Sequence, residues 1–278
     1  MPAPVVLSGL RVAVTGGGHG LGRAIGARFA RAGARVALGD LDIAAAEAVA
    51  ATAGERVIAL SLDVSDRESF AAFLDAAERE HGPLDVLVNN AGIEWVGPFH
   101  DEPDAVSRRE LEVNLLGTIH GARLAVKRML PRGAGHIVNV ASGVGRVPLP
   151  GSAVYAASKH GIVGLTESLR LEYRESGLRF SLIQPARVQT AMLDGLARPR
   201  PLAIVTPEAV AAAVVGAVRE NRFEVWVPVS QGATAKLSAL LPRQAREAML
   251  RAFGVTRLAR DADLPARRSY HQRTFGQS

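Results

Sequence analysis

The stretch RVAVTGGGHGLG, residues 11–22, decides the fold class of this chain. Its first part, residues 11–15, predicts a buried strand. The glycines that follow precede a predicted apolar helix, which ends before Gly33. A glycine-rich turn between a strand and a helix lets the backbone approach a pyrophosphate, because the helix N-terminus presents unpaired N–H groups. Turns also use glycine for steric reasons, so the rest of the chain must decide between these two interpretations.

The alternation of short apolar strands and helices continues to about residue 230. Besides residues 11–15, strands are predicted over 35–38, 56–60, 84–88, 136–140, 180–183 and 223–227. Helices are predicted over 20–32, 43–53, 66–80, 102–129, 152–176 and 207–220. Apolar strands that alternate with helices imply parallel strands covered on both faces. The sequence therefore predicts an α/β fold, a doubly wound (Rossmann) parallel sheet, over residues 1–230.

Composition excludes several classes of protein. The chain has 278 residues, 48% of them hydrophobic, which is enough for a large core. It has no cysteine, so disulfides, thiolate nucleophiles and cysteine metal sites are excluded. We see neither a secretory signal pattern at the start nor an apolar run of about 18 residues. We therefore expect a soluble, cytoplasmic protein.

The net charge of +6 is confined to the C-terminal part of the chain. Residues 231–278 hold nine Lys and Arg but three Asp and Glu, so residues 1–230 carry equal numbers of each sign. A basic tail can contact nucleic acid, a membrane or an acidic partner, but a solvated helix face is the commoner explanation. We expect no nucleic-acid partner.

Asp40 comes at the end of the second strand segment, just beyond the predicted range 35–38 and 18 positions after Gly22. An acidic residue at about this distance accepts hydrogen bonds from ribose hydroxyls and repels a 2′-phosphate, which favours NAD. His19 and Arg23 lie nearby in the sequence, so NADP stays an alternative. Asp42 is expected to cap the following helix.

Further polar residues follow the other predicted strands. Asp63 and Val64 come after the third strand, at the expected adenine position, and Asn89–Gly92 (NNAG) follows the fourth. The asparagines can tie loop backbones together, although each segment alone is also an ordinary turn. Asn114 lies among apolar positions of the helix predicted over 102–129. A buried amide there must find partners, and it can hold a water molecule or distort the turn.

Tyr155, Lys159 and Ser142 are the candidate catalytic residues. Tyr155 and Lys159 are four positions apart in a predicted helix, so both side chains leave the same face. Tyrosine titrates at about pH 10, and a positive charge beside it favours the phenolate. Ser142 follows a predicted strand, from which its hydroxyl could hold a substrate oxygen against the phenol. An ordinary surface pair is the alternative for so short a motif.

Taken together in order, these motifs resemble those of the short, single-domain branch of the short-chain dehydrogenase/reductase superfamily. The matching segments are T-G-x-x-x-G-x-G (15–22), Asp63, N-N-A-G (89–92), Asn114, Ser142, Y-x-x-x-K (155–159) and the loop 185–190. The resemblance covers roughly residues 5–230 and implies a parallel sheet of about seven strands and NAD(P)-dependent alcohol/carbonyl chemistry. No H-E-x-x-H string or acidic cluster indicates a metal site.

The resemblance implies a role for each matching residue. Tyr155 would be the acid/base and Ser142 would orient the substrate oxygen. Lys159 would bind the nicotinamide ribose and lower the pKa of Tyr155, and Asn114 would hold a proton-relay water. The implied cofactor-binding residues are Gly16, Gly18, His19, Gly20, Leu21, Gly22, Asp40, Leu41, Asp63, Val64, Asn90, Ala91, Gly92, Tyr155, Lys159, Pro185, Val188 and Thr190. Ala186 replaces the family's usual glycine, which bears on the local backbone path.

The substrate pocket is expected beneath the loop Ala191–Thr206. Its lining should include Glu94, Trp95, Val144, Leu149 and Met192. This mixture is mainly apolar and favours a hydrophobic alcohol or ketone as the small-molecule substrate.

Residues 231–278 are expected to form a basic extension, either part of the same domain or an intersubunit arm. Within it, 233–253 predicts an amphipathic helix interrupted at Pro242 that packs on its own domain or on a neighbouring subunit. Contact with a membrane surface is the less favoured alternative. Residues 257–278 are expected to be a polar arm or partly disordered, and the protein is expected to be a homodimer or homotetramer.

A rival function comes from another class of protein. The chain could be a catalytically idle NAD-binding sensor or scaffold that acts through its basic tail. The intact Ser142, Tyr155 and Lys159 weigh against this, since a sensor has no need of a base.

Overall fold

The structure, a computed structural model, describes residues 4–196, 204–252, 254–255 and 262–276. The strands in these ranges are β1 (Arg11–Thr15), β2 (Arg35–Asp40), β3 (Val57–Ser61), β4 (Val86–Asn89), β5 (Gly135–Val140), β6 (Leu178–Pro185), β7 (Arg187–Val188), β8 (Ile204–Val205) and β9 (Glu224–Val227). The α-helices are α1 (Gly20–Arg31), α2 (Ile43–Ala53), α3 (Arg67–His81), α4 (Asp104–Leu111), α5 (Gly117–Met129), α6 (Ala153–Glu172), α7 (Pro207–Glu220), α8 (Val229–Ala239), α9 (Arg243–Ala252) and α10 (Leu264–Phe275).

Seven strands form one parallel sheet in the order β3-β2-β1-β4-β5-β6-β9. The chain builds outward from β1 to β3 and then returns to place β4 on the other side of β1. The carboxyl ends of β1 and β4 therefore flank the point at which the strand order reverses, where ligands bind in open α/β sheets. The doubly wound parallel sheet predicted from the sequence is confirmed.

Helices cover both faces of the sheet because successive strand residues point to opposite sides. Val12 and Val14 of β1 pack with Ile25 and Phe29 of α1 and with apolar residues of α2 and α7. Ala13, between the two valines, packs in the other layer with residues of α3 and α5. The near-continuous apolar strands follow from this burial on two sides.

The helix predicted over 102–129 is not regular throughout. It begins at Asp104, and residues Glu112–Leu116 form a wider, π-helical turn between α4 and α5. Asn114 lies in this turn and is completely buried. Such turns are rare and occur often at functional sites.

The C-terminal extension folds as three helices among the described residues. The break at Pro242 is confirmed, since α8 ends at Ala239 and α9 begins at Arg243. The polar arm expected over 257–278 is wrong for residues 264–275, which form α10. The side chains of Arg267 and Tyr270 in this helix are 0% and 8% exposed, because they pack against the loops after β4 and β7. Among the described helices, we find none with the length and apolarity needed to cross a bilayer.

Candidate active site

A cleft of about 1050 Å³ opens at the carboxyl edge of the sheet. All the candidate site residues named from the sequence line this cleft, except Gly18 and Asn114. Gly18 lies in the glycine-rich loop, where its N–H bonds to Asp40, and Asn114 is completely buried in the π-helical turn. The topology brings the candidates together because β1, β2, β3, β4, β5 and β6 all end at this edge.

The glycine-rich loop is shaped by the close approach of its own backbone. A Cβ at Gly22 would overlap the carbonyl oxygen of Gly16 and lie 2.7 Å from Asn90 Nδ2. Gly16 and Gly20 have φ values of +68° and +44°, which favour glycine. A Cβ at Gly20 would also lie 3.0 Å from the methyl group of Thr190. The loop therefore presents bare backbone to the cleft, as a pyrophosphate site requires.

Asp40 is held against this loop at the end of β2. Its Oδ2 accepts a hydrogen bond from the Gly18 N–H at 2.8 Å, and its Oδ1 accepts one from the Asp42 N–H at 3.0 Å. Asp42 caps α2 as predicted, since its side chain accepts a hydrogen bond from the Ala45 N–H. The Asp40 carboxylate is thereby fixed at the cleft wall, and carboxylate oxygens retain further lone pairs for hydroxyl donors.

Asp63 lies at the far end of the cleft with Arg109, a residue that the sequence interpretation did not name. Its carboxylate accepts hydrogen bonds from the backbone and hydroxyl of Ser65 and lies 3.3 Å from Arg109 Nη2. Burial works to raise the pKa of Asp63, but the Ser65 hydrogen bonds and the Arg109 charge outweigh it and lower the pKa. Asp63 is therefore an ionised acceptor whose position is fixed by its neighbours.

The N-N-A-G segment joins β4 to β1. Thr15 Oγ1 accepts hydrogen bonds from the N–H groups of Asn90 and Ala91 at 2.9 and 3.0 Å, and Asn90 Nδ2 donates to the Thr15 carbonyl at 2.9 Å. Asn89 instead points into the protein, where its Nδ2 donates to Asn139 Oδ1 at 2.9 Å. The first asparagine thus ties two strands together, and the second shapes the floor of the cleft.

Ser142, Tyr155 and Lys159 meet at the other end of the cleft. The Ser142 side chain, which accepts a hydrogen bond from the Val144 N–H at 3.2 Å, lies near enough to the buried Tyr155 hydroxyl to lower the pKa of that tyrosine. Lys159 Nζ donates to the Val140 carbonyl at 3.2 Å and lies 5.5 Å from the centre of the Tyr155 ring. One helical turn of α6 and the end of β5 therefore converge on one point, as their positions in the sequence predicted.

The pKa of Tyr155 differs from the expectation. Burial raises it well above its ordinary value, the Glu94 carboxylate adds to this, and the hydrogen bond with Ser142 opposes it. Burial also lowers the pKa of Lys159 to about 8, which the acidic residues Glu94 and Glu110 oppose. The protein's own groups thus favour the neutral phenol, whereas the resemblance had implied a lowered pKa. Burial is the main cause of this difference, and the two buried carboxyl groups, whose proximity the sequence does not show, act in the same direction.

Asn114 uses its side chain to connect three segments. Its Oδ1 accepts from the Ile93 N–H at 2.8 Å, and its Nδ2 donates to the Ile93 carbonyl and to Ser158 Oγ, at 2.9 and 3.1 Å. The amide is therefore satisfied by protein groups. It fixes the loop after β4 against the helix that carries Tyr155, while its role in holding a water molecule stays a prediction.

The loop after β6 runs along the cleft. Ala186, which stands where the family has glycine, donates its N–H to the Val227 carbonyl at 2.7 Å and does not have positive φ. Val188 pairs with Val205 in the small sheet of β7 and β8. The alanine is accommodated because this path needs no left-handed backbone at that residue. Pro185, Val188 and Thr190 line the cleft.

Four of the five residues expected in the substrate pocket line the cleft. Glu94, Val144, Leu149 and Met192 line the cleft, but Trp95 is absent from its lining. The Trp95 ring instead stacks on His271 of α10, with centroids 6.4 Å apart. Part of the loop Ala191–Thr206, residues 197–203, lies outside the described residues, whereas residues 191–193 and 196 line the cleft.

Glu110 is a buried acid behind the cleft that the sequence interpretation missed. Its Oε1 accepts a hydrogen bond from the Trp95 N–H at 2.9 Å, and the residue is 1% exposed. Burial raises the pKa of Glu110 to about 8, and the negative charge of Glu94 acts in the same direction. A helical pattern of apolar residues does not reveal such an acid, because nothing in it shows which loop will cover α4.

We expect the substitution Glu110→Gln to raise the melting temperature relative to wild type by an amount that grows from pH 5 to pH 8. The folded pKa of about 8 exceeds the ordinary value of 4.5, so the unfolded chain loses this proton first and wild-type stability falls as pH rises through that window. The effect is at most about 1.4 kcal/mol per pH unit. Glutamine stays neutral and retains an oxygen for Trp95.

Differential scanning calorimetry at several pH values measures this difference. Glu47→Gln, on the exposed face of α2, is the matched control, and its difference from wild type should stay constant. Parallel curves for Glu110→Gln and wild type would show that Glu110 does not titrate as a buried acid.

Comparison with known proteins agrees with this geometry. The family model for short chain dehydrogenase matches residues 11–200. The chain is 40% identical over 222 residues to 1-deoxy-11-beta-hydroxypentalenate dehydrogenase from Streptomyces exfoliatus, which covers 77% of this chain and 81% of that protein. It is also 40% identical over 190 residues to cis-4-hydroxycyclohexanecarboxylate dehydrogenase from Sinomonas cyclohexanicum, covering 67% of this chain and 76% of that one.

A solved structure shows the same architecture. A short-chain dehydrogenase/reductase from Burkholderia phymatum, crystallised in complex with NAD, superposes with a TM-score of 0.78 at 29% identity. The similarity covers 84% of this chain and 94% of that one. The chain therefore belongs to the short-chain dehydrogenase/reductase superfamily and is an NAD(P)-dependent oxidoreductase that acts on CH–OH groups.

Proposed function

We propose that this protein interconverts a secondary alcohol and a ketone, with Tyr155 as the acid/base. The observation that carries the proposal is the convergence of Ser142, Tyr155 and Lys159 at one end of a cleft whose other end holds the glycine-rich loop. Two hydroxyl groups that already meet can bind one substrate oxygen between them.

The residues at the glycine-rich end fit a nicotinamide dinucleotide. The bare backbone of this loop would hold the pyrophosphate, and Asp40 the adenosine ribose. Asp63 and Val64 would border the adenine, while Lys159 would bind the nicotinamide ribose. When bound, the cofactor supplies the hydride acceptor or donor.

Tyr155 would move the proton. Because burial raises its pKa, its hydroxyl is protonated at neutral pH and can donate to a ketone oxygen as the alcohol forms. In the opposite direction Tyr155 would accept the alcohol proton. Ser142 would keep the substrate oxygen within reach of the phenol, and Lys159 would hold positive charge beside the ring.

We infer that NAD is preferred over NADP. The Asp40 carboxylate is fixed beside the loop by the Gly18 and Asp42 N–H groups, where it would repel a 2′-phosphate. His19 is the nearby candidate for binding that phosphate, but it is exposed and lies 3.7 Å from Asp42. This acidic neighbour opposes a phosphate as well.

The substrate we propose is an apolar alcohol or ketone of small-molecule size. The substrate end of the cleft is lined by side chains such as Val144, Leu149, Met192 and Tyr270. The two relatives are named for hydroxylated ring carboxylates, and the ring bodies of those compounds are consistent with such a pocket. A homodimer or homotetramer is the proposed assembly.

The test is the change of NADH absorbance over a panel of alcohols and ketones, including alicyclic alcohols, hydroxy acids and polyols, with both cofactors. We expect turnover of at least one alicyclic alcohol or ketone, with a higher kcat/KM for NAD(H) than for NADP(H). Tight NADH binding with no turnover across the panel would contradict the proposal and favour the sensor or scaffold function.

A further inference from the structure

The C-terminal helices supply one wall of the cleft. The matched family region ends at residue 200, so this wall lies outside it. The lining residues from this part of the chain include Leu250 of α9 and Tyr270 and Thr274 of α10. A segment that resembles an arm in sequence is therefore in a position to contact substrate.

Arg267 of α10 connects the two loops that border this wall. Its Nη1 donates to the carbonyl oxygens of Met192 and Asp194 at 2.9 and 3.0 Å, and its Nη2 donates to the Glu94 carbonyl at 3.3 Å. The side chain is completely buried. A Cβ at Gly195 would lie 2.8 Å from Arg267 Cγ, so helix and loop are in close contact. The planar guanidinium can donate in several directions at once, which lysine cannot match.

Two further contacts attach α10 to the loop after β4. The Tyr270 hydroxyl accepts a hydrogen bond from the Glu94 N–H at 3.1 Å, and the His271 ring stacks on Trp95. The Tyr270 ring itself lines the cleft. The position of the wall therefore depends on the contacts of Arg267, Tyr270 and His271.

The charges around Glu94 bear on the kind of substrate. Burial raises the pKa of this acid, while the positive charges of Arg267, Lys159 and Arg187 oppose the shift. These ionisable groups already face one another within the protein. A charged substrate would lose its hydration on entering the mainly apolar cleft, whereas a neutral one would not pay this cost.

We propose that α10 is the substrate-binding wall of the enzyme, that Arg267 is the positioning residue that holds it, and that the pocket takes a neutral ketone or alcohol with a bulky apolar body. This rests on the proposed function, because the wall faces the space beside Tyr155. Each methylene group that loses its apolar contact weakens binding about fourfold, so a displaced wall penalises large substrates most.

The experiment compares 2-decalone, a bulky neutral ketone, with acetone, which is too small to use the wall. We expect Arg267→Met to lower the ratio of kcat/KM for 2-decalone to that for acetone at least about tenfold, equivalent to losing contact with about two methylene groups. Because both substrates are measured on one preparation, the ratio does not depend on the fraction of folded enzyme. The Kd of NADH, from fluorescence titration, should stay unchanged.

Control variants distinguish a displaced wall from a general loss of folded enzyme. Arg243→Met removes an exposed arginine of α9, whose side chain is 91% exposed, and should leave the ratio unchanged. Arg267→Lys, which keeps the charge but not the fork of donors, should give an intermediate ratio. If Arg267→Met does not fold, Tyr270→Phe and Leu250→Ala are the replacement variants that test the role of the wall. Each should lower the ratio, by loosening the wall or by removing part of it.

The remaining outcomes overturn the inference or the proposed function separately. An unchanged ratio in Arg267→Met, or in both replacement variants, overturns the role of the wall. Turnover of hydroxy acids or polyols but not of 2-decalone by wild type overturns the substrate class and leaves the proposed function standing. If wild type binds NADH and turns over nothing in the full panel, the proposed function itself fails.

Discussion

Replacing Tyr155 with phenylalanine should lower kcat by about 10³-fold while the Kd of NADH stays close to that of wild type. The substitution removes only the hydroxyl that meets Ser142 and leaves a ring of the same size in the buried space of α6. Lys159 still reaches the Val140 carbonyl, because that bond does not involve the phenol. Steady-state rates for the best substrate of the panel, together with NADH titration, measure both effects.

Tyr173→Phe is the matched control for this substitution. Tyr173 follows the same helix, and its ring lies 6.1 Å from Phe180, away from the cleft. Its kcat should equal that of wild type. A kcat of Tyr155→Phe within tenfold of wild type would contradict the proposed proton-transfer role of Tyr155, whatever the result for the control.

The second large effect is expected for Gly22→Ala, which should abolish measurable NADH binding and lower the melting temperature. The new Cβ would overlap the Gly16 carbonyl oxygen and lie 2.7 Å from Asn90 Nδ2. The loop therefore has to move away from β1 and from the N-N-A-G segment, which destroys the bare backbone surface proposed for the pyrophosphate.

Gly164→Ala shows what the same change does where space is available. Gly164 lies in α6, and a Cβ there would have no atom within 4 Å. Alanine in a helix interior is favoured over glycine by about 0.5–1 kcal/mol, so this variant should be slightly more stable and should bind NADH normally. Retention of NADH binding by Gly22→Ala would refute the proposed place of the loop in the cofactor site.

The sequence predicted most of the sheet because the signals are local. β1 and α7 have the bounds that the pattern predicted, and no boundary of the other predicted strands shifts by more than two residues. The helix around Asn114 was harder, since periodicity showed a continuous helix and not its wider turn. Asn114 in that turn forms hydrogen bonds with Ile93 and Ser158, which are remote in sequence.

The pKa values and the C-terminal wall of the cleft depend on long-range contacts. The Glu94 N–H and Tyr270 are 176 residues apart and still form a hydrogen bond. An arginine-rich segment with no apolar periodicity indicates a solvated arm, yet Arg267 is buried because three carbonyl oxygens satisfy its donors.

By itself, the sequence determined the parallel sheet, the glycine-rich loop and the convergence of Ser142, Tyr155 and Lys159. Alternating apolar runs, glycine sterics and the four-residue spacing of a helix act over short distances, so these features can be read in order along the chain. Only the tertiary structure decided that Tyr155 has a raised pKa and that α10 forms a wall of the cleft. Burial and charge depend on which distant segments meet, and no local pattern records that.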